Sequence, residues 1–61
     1  MKAKVLIKLI EKDGWSFVRQ TGSHKIFKHS TKPGIVVIPE HGKEDIKSGT
    51  LNSILKQAGL K

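Results

Sequence analysis

Four β-branched residues in a row, Ile35-Val36-Val37-Ile38, stand between Pro33-Gly34 and Pro39. Branching at Cβ restricts χ1 and suits an extended, pleated backbone. The flanking proline and glycine residues punctuate the run at both ends. The stretch therefore predicts a strand that stops at Pro39, and a strand needs ladder partners and a cover for its apolar side chains. Two upstream segments supply the partners. Trp15 to Thr21 carries Trp15, Phe17 and Val18. The adjacency of Phe17 and Val18 breaks strict alternation, so both faces of that strand are expected to be partly covered. In the second segment His24, Ile26 and Lys28 share one parity, and Lys25, Phe27 and His29 the other. Gly22-Ser23 between the two segments has the length of a tight hairpin connection, and Gly22 tolerates backbone angles that other residues resist.

The cover comes from the two ends of the chain. Ala3, Leu6, Ile7 and Ile10 follow the i, i+3, i+4, i+7 spacing of a helix from Ala3 to Lys12, with Val5 and Leu9 widening the apolar arc. Asp13-Gly14 ends it, Gly14 suiting the left-handed C-terminal position. Leu51, Ile54, Leu55 and Ala58 form a second stripe, on a helix expected from Gly49 to Ala58, with Ser48 or Thr50 as the capping oxygen and Gly59 as the stop. Ser30 to Gly34 reads as a turn and Glu40 to Lys47 as a polar loop. The order is α-β-β-β-α. An α+β fold with a three-stranded antiparallel sheet and both helices on one face buries both stripes in one layer. At 61 residues there is room for one domain, residues 1–61. A chain of this size buries only about 60% of the surface its unfolded form exposes.

Composition narrows the function classes. There is no cysteine, hence no disulfide, thiolate nucleophile or thiolate metal ligand. The apolar run Val5–Ile10 is interrupted by Lys8 and followed by Glu11, Lys12 and Asp13. It suits neither a membrane span nor a signal peptide, so a cytoplasmic protein is expected. Lysine and arginine number 12 against 5 acidic residues, a formal charge of +7. That excess on one small domain is the electrostatic footprint of a nucleic-acid binder. An acidic protein partner ranks second and a merely solvated surface third.

Within this frame His24 follows the glycine turn, at the mouth of the second strand. Histidine exchanges protons near neutral pH. Arg19, Lys25 and Lys28 lie close to it in the hairpin, although Lys25 has the opposite parity. From the residues alone, a strand-edge histidine at a turn is the plainer reading of His24. His29 and His41 read as solvated surface residues, and Glu40 and Glu44 as loop carboxylates. Ser23 adjoins His24 in sequence, which does not bring their side chains together as a nucleophile and its base. No HxH or HExxH spacing occurs, so no metal ligand set and no cofactor is assigned. Trp15 reads as core rather than as a base-stacking platform.

The pieces also occur in a recognisable order: Gly14-Trp15, then Gly22-Ser23-His24 with Ile26-Phe27-Lys28-His29, then Pro33-Gly34, then Gly49-Thr50-Leu51-Asn52-Ser53-Ile54-Leu55-Lys56-Gln57-Ala58-Gly59-Leu60. Over nearly its whole length the chain resembles the HicA-type (YcfA-like) toxins of bacterial toxin–antitoxin pairs. The resemblance implies a fold similar to double-stranded-RNA-binding domains and activity as a ribosome-independent mRNA interferase. It implies His24 as the catalytic residue and Gly22 and Ser23 as the turn supporting it. Arg19, Lys25 and Lys28 would hold the RNA, without a metal. A HicB-type antitoxin would be the inhibiting partner, docking over the 22–28 hairpin because both helix stripes are committed to the core. Glu40-His41-Gly42 departs from the more basic loop expected at that place. The alternative is a non-catalytic double-stranded-RNA-binding module, which needs the lysines but no histidine at the strand mouth.

Overall fold

The periodicities resolve into helix α1 (Ala3–Lys12), strands β1 (Trp15–Thr21), β2 (His24–His29) and β3 (Ile35–Pro39), and helix α2 (Ser48–Gln57). The computed structural model describes residues 1–40, 42 and 44–61. His41, read above as a solvated loop residue, lies outside the described residues. The sheet has the order β1-β2-β3 with both pairs antiparallel, and one buried cluster joins α1, all three strands and α2. Both helices therefore cover the same face, giving the expected α-β-β-β-α architecture. Among the described residues no helix is long and apolar enough to cross a membrane.

The strand register explains the irregular pattern of β1. Phe17 pairs with Phe27, but the next pair is Arg19 with Ile26, so Val18 is the extra residue of a bulge. The bulge lets two large apolar residues stand side by side in sequence while the strand keeps its inward face. Phe17 and Phe27 meet edge to face, with ring centroids 5.8 Å apart. In β3 the alternation is clean: Val36 and Ile38 are fully buried, whereas Ile35 and Val37 are exposed. The run of four β-branched residues thus covers two environments, the core and a bare outer face. The strand also continues one residue further than expected, because Pro39 pairs with His24 at the sheet edge, where a missing N–H is tolerated.

Three expectations about the helices and the loop are corrected. Val5 and Leu9 are 54% and 42% exposed, so the buried stripe of α1 is the narrower set Ala3, Leu6 and Ile10, with Ile7 packed at its margin. Helix α2 starts at Ser48 behind Lys47, which makes no side-chain capping bond, so neither Ser48 nor Thr50 is the cap. The segment before α2 is pinned rather than merely polar: Ile46 is buried, its N–H donates to the Met1 carbonyl at 2.8 Å, and Lys2 bridges to Asp45. The end of α2 follows expectation. Gly59, at φ +73°, lets its N–H reach the Lys56 carbonyl and the Leu60 N–H reach the Leu55 carbonyl, a Schellman closure.

His29 is the other correction. It is no solvated side chain: only 8% of it is exposed, and its ring stands edge-on to the buried Trp15 at 5.2 Å. Nδ1 accepts the N–H groups of Thr31 (3.0 Å) and Lys32 (3.2 Å). Nε2 must then carry the proton, which it donates to the Asp13 carbonyl at 2.6 Å. Gly14 lies directly over the ring. At φ +107° it suits glycine, and a Cβ there would come within 2.7 Å of Nε2. Around this ring Lys32 Nζ pairs with the Asp13 carboxylate and donates to the Ala58 carbonyl at 3.0 Å. Trp15 Nε1 donates to the same carbonyl at 3.3 Å. The ends of both helices and the turn after β2 meet here.

This cluster predicts two measurable sensitivities. His29→Ala orphans three backbone groups and leaves a void against Trp15, so a loss of about 2–4 kcal/mol is expected in urea unfolding. A loss below about 0.5 kcal/mol would show that the ring is dispensable. Nitrogen shifts of the wild-type imidazole should report the Nε2–H tautomer. The Lys32 hydrogen bond, with the Lys32 charge behind it, holds the Asp13 carboxyl below its ordinary 3.8 against the opposing effect of desolvation. A depressed carboxyl stabilises the fold above its unfolded value and ceases to do so as pH falls through the folded one. The urea midpoint should accordingly decline below about pH 4 more steeply in wild type than in Asp13→Asn.

Candidate nucleic-acid interface

With both helices on one side, the other face of the sheet is bare, and the register says what stands on it. Residues paired across antiparallel strands share a face. Thr21, His24 and Pro39 form one row; Arg19, Ile26 and Val37 the next; Ser16, Lys28 and Ile35 the last. His24 is exposed at the end of the face, next to the hairpin turn. Arg19 lies one row away on the diagonal, about 7–8 Å between backbones. Lys28 lies four residues along the same strand, roughly 13 Å off. Between them are the exposed apolar side chains of Val37 and Ile35, with Val18 in the bulge. The face is apolar through its middle and basic toward its rim, with an imidazole at one end.

The turn that carries His24 is built by Gly22. Its φ is +59°, and no other residue of the turn has a positive φ. A positive angle at the first central residue alone marks a type II′ turn, whose twist suits a two-residue hairpin. No atom lies near the position a Gly22 Cβ would take, so the glycine is required by backbone angle rather than by space. Gln20 Nε2 steadies the turn by donating to the Gly22 carbonyl at 2.8 Å.

The sequence-predicted site residues therefore divide. Arg19, Lys28 and His24 share the bare face. Lys25 is on the helix side, as its parity required, and its Nζ lies 2.6 Å from Glu40 Oε1. Glu40 also donates its N–H to the Ser23 carbonyl at 2.8 Å. This double contact of Glu40 was not foreseen; the inward parity of Lys25 was the one signal that it needed an acidic neighbour. His29 is committed to the structural cluster, and Trp15, 1% exposed, cannot stack on a base. Among the described residues no three histidine or carboxylate side chains gather as a metal site.

No curated protein matches the chain. Residues 3–60 match the family model described as the HicA toxin of bacterial toxin–antitoxin systems. The match spans both helices, the sheet and the turn that carries His24. On that match the chain belongs to the HicA toxin family, and it is the toxin partner of an antitoxin.

Proposed function

We propose that the chain is an endoribonuclease that cleaves mRNA, with His24 as its general acid or base, and that a HicB-type antitoxin holds it inactive in the cytoplasm. The observation that carries this reading is the placement of an exposed His24 at the end of a bare sheet face that also bears Arg19 and Lys28. RNA brings its own nucleophile. Removal of the 2′-hydroxyl proton lets that oxygen attack the adjacent phosphorus. The P–O5′ bond then breaks, and the departing oxygen takes up a proton. The expected products are a 2′,3′-cyclic phosphate and a 5′-hydroxyl. An imidazole can take the first proton or give the second, and Arg19 is near enough to support charge on the phosphorane oxygens. Lys28 would hold a phosphate further along the strand. Lys25, proposed from sequence as an RNA contact with them, would add to the positive field from the helix side. No step requires a bound metal.

The antitoxin reading follows from the same surface. A +7 domain attracts an acidic partner and raises its association rate. The bare face offers that partner apolar area as well as charge, so occlusion of His24 is the favoured mode of inhibition. Exposure of Val5 and Leu9 gives α1 a competing apolar patch, which weakens the argument that the helices have nothing left to offer.

The catalytic assignment predicts that His24→Ala lowers the cleavage rate at least a hundredfold, the low end of what a general acid or base contributes. Its stability should stay within about 0.5 kcal/mol of wild type, because the side chain is exposed. Cleavage by wild type should continue in EDTA. A folded His24→Ala protein that cuts RNA at the wild-type rate would overturn the assignment of His24, whereas a wild-type protein that binds RNA without cutting it would leave the binding-module reading in its place.

The binding assignment is tested by salt. Each single-strand phosphate neutralised contributes about −0.7 to the slope of log K against log salt, so Arg19→Gln with Lys28→Gln should flatten it by roughly 1.4. Lys25→Gln, on the other face, should flatten it by less. Equal slopes for wild type and the double variant would move the RNA off this face.

A further inference from the structure

We infer that Glu40 is a positioning residue for His24, acting through the two residues that flank it. The inference rests on the assignment of His24 as the proton-transfer group. His24 begins β2, where the hairpin ladder is about to end and its β3 partner is Pro39. In an antiparallel ladder bonded and non-bonded rows alternate, and this is a non-bonded row, so the missing N–H of proline takes nothing from the ladder. The next row is bonded: the Glu40 N–H reaches the Ser23 carbonyl at 2.8 Å. From the same residue, the carboxylate reaches across the helix side to Lys25 Nζ at 2.6 Å. Ser23 and Lys25 are the immediate neighbours of His24 in the chain. One residue therefore holds the backbone before the imidazole and the side chain after it, and its carboxylate does so from the face opposite the one that RNA would use.

The pair is sheltered enough to act as a tether, since only 28% of the Lys25 side chain and 21% of the Glu40 side chain is exposed. Its sign is also informative. Removing an acidic side chain from a domain of charge +7 should, on electrostatics alone, attract RNA more strongly. A carboxylate that only tuned the field would lower turnover when present and raise it when removed. A carboxylate that positions His24 would do the reverse, because small displacements of a catalytic group are costly.

The experiment is steady-state cleavage of a short RNA by the full chain, with rates expressed per folded molecule. Glu40→Ala should lower kcat about tenfold while KM stays level or falls. The exchanged pair Lys25→Glu with Glu40→Lys keeps the net charge and restores the tether in reverse, so it should recover at least half of the lost kcat. Leu55→Ala, at the margin of the core and away from the site, controls for lost stability and should keep wild-type kcat per folded molecule. The inference is overturned if Glu40→Ala turns over at the wild-type kcat, or if the exchanged pair is no faster than Glu40→Ala. His24→Ala is run beside them: its full activity would remove the catalytic reading itself, whereas an inactive His24→Ala with an unaffected Glu40→Ala would remove only the role of Glu40.

Discussion

Everything in this small domain leans on one neutral imidazole. His29 offers a donor to the end of α1 and an acceptor to the turn after β2, and its ring walls the pocket in which Trp15 sits. The neutral ring carries a donor and an acceptor at fixed positions, so it satisfies both backbone segments at once. A charged imidazolium would present N–H to N–H at Nδ1. The position thus uses histidine for its hydrogen-bonding symmetry and not for proton exchange. Two histidines five places apart on one strand serve opposite ends: one is locked inside, and the other stands on the outer face.

That division comes from the alternation of the pleat and from the economy of a thin fold. With about two-fifths of the unfolded surface still wet in a chain this size, the helices can cover only one side of the sheet. The uncovered side inherits whatever the outward parity carries. On β2 that is His24, Ile26 and Lys28, so an imidazole, an apolar contact and a cation arrive together on one strand without any loop having to be shaped around them. A rigid strand holds such groups more precisely than a mobile loop would.

Much of this was legible from residue order. The two stripes and the four β-branched residues place α1, α2 and β3, and the segments either side of Gly22-Ser23 place β1 and β2, all with nearly correct limits, because periodicity reports burial and burial shapes this fold. The adjacent Phe17 and Val18 were a visible sign of the bulge, although the register alone shows which residue is extra. The family was legible through the ordered pieces around Gly22-Ser23-His24. What was not legible depends on backbone partners distant in sequence. The carbonyl of Asp13 and the amides of Thr31 and Lys32 decide the fate of His29, and no side-chain pattern announces them. The absence of a side-chain cap on α2 was hidden for the same reason: Ser48 and Thr50 have suitable chemistry, but the chain enters the helix one residue earlier. The parity of Lys25 was readable, and its partner was not. Val5 and Leu9 suit an apolar arc, yet the sheet is too narrow to cover the whole of it.

The bond from Trp15 to the carbonyl of Ala58 spans 43 residues of a 61-residue chain. It joins the first residue of the sheet to the last turn of the final helix. Ile54 and Ala58 complete the same cluster. Hairpins between neighbouring strands are local and quick to form, whereas a contact of this span must wait for the chain between its ends. During synthesis the strands are made before the helix that seals them. The core therefore closes only once Ile54 and Ala58 have been made, and the bare face acquires a rigid backing only then.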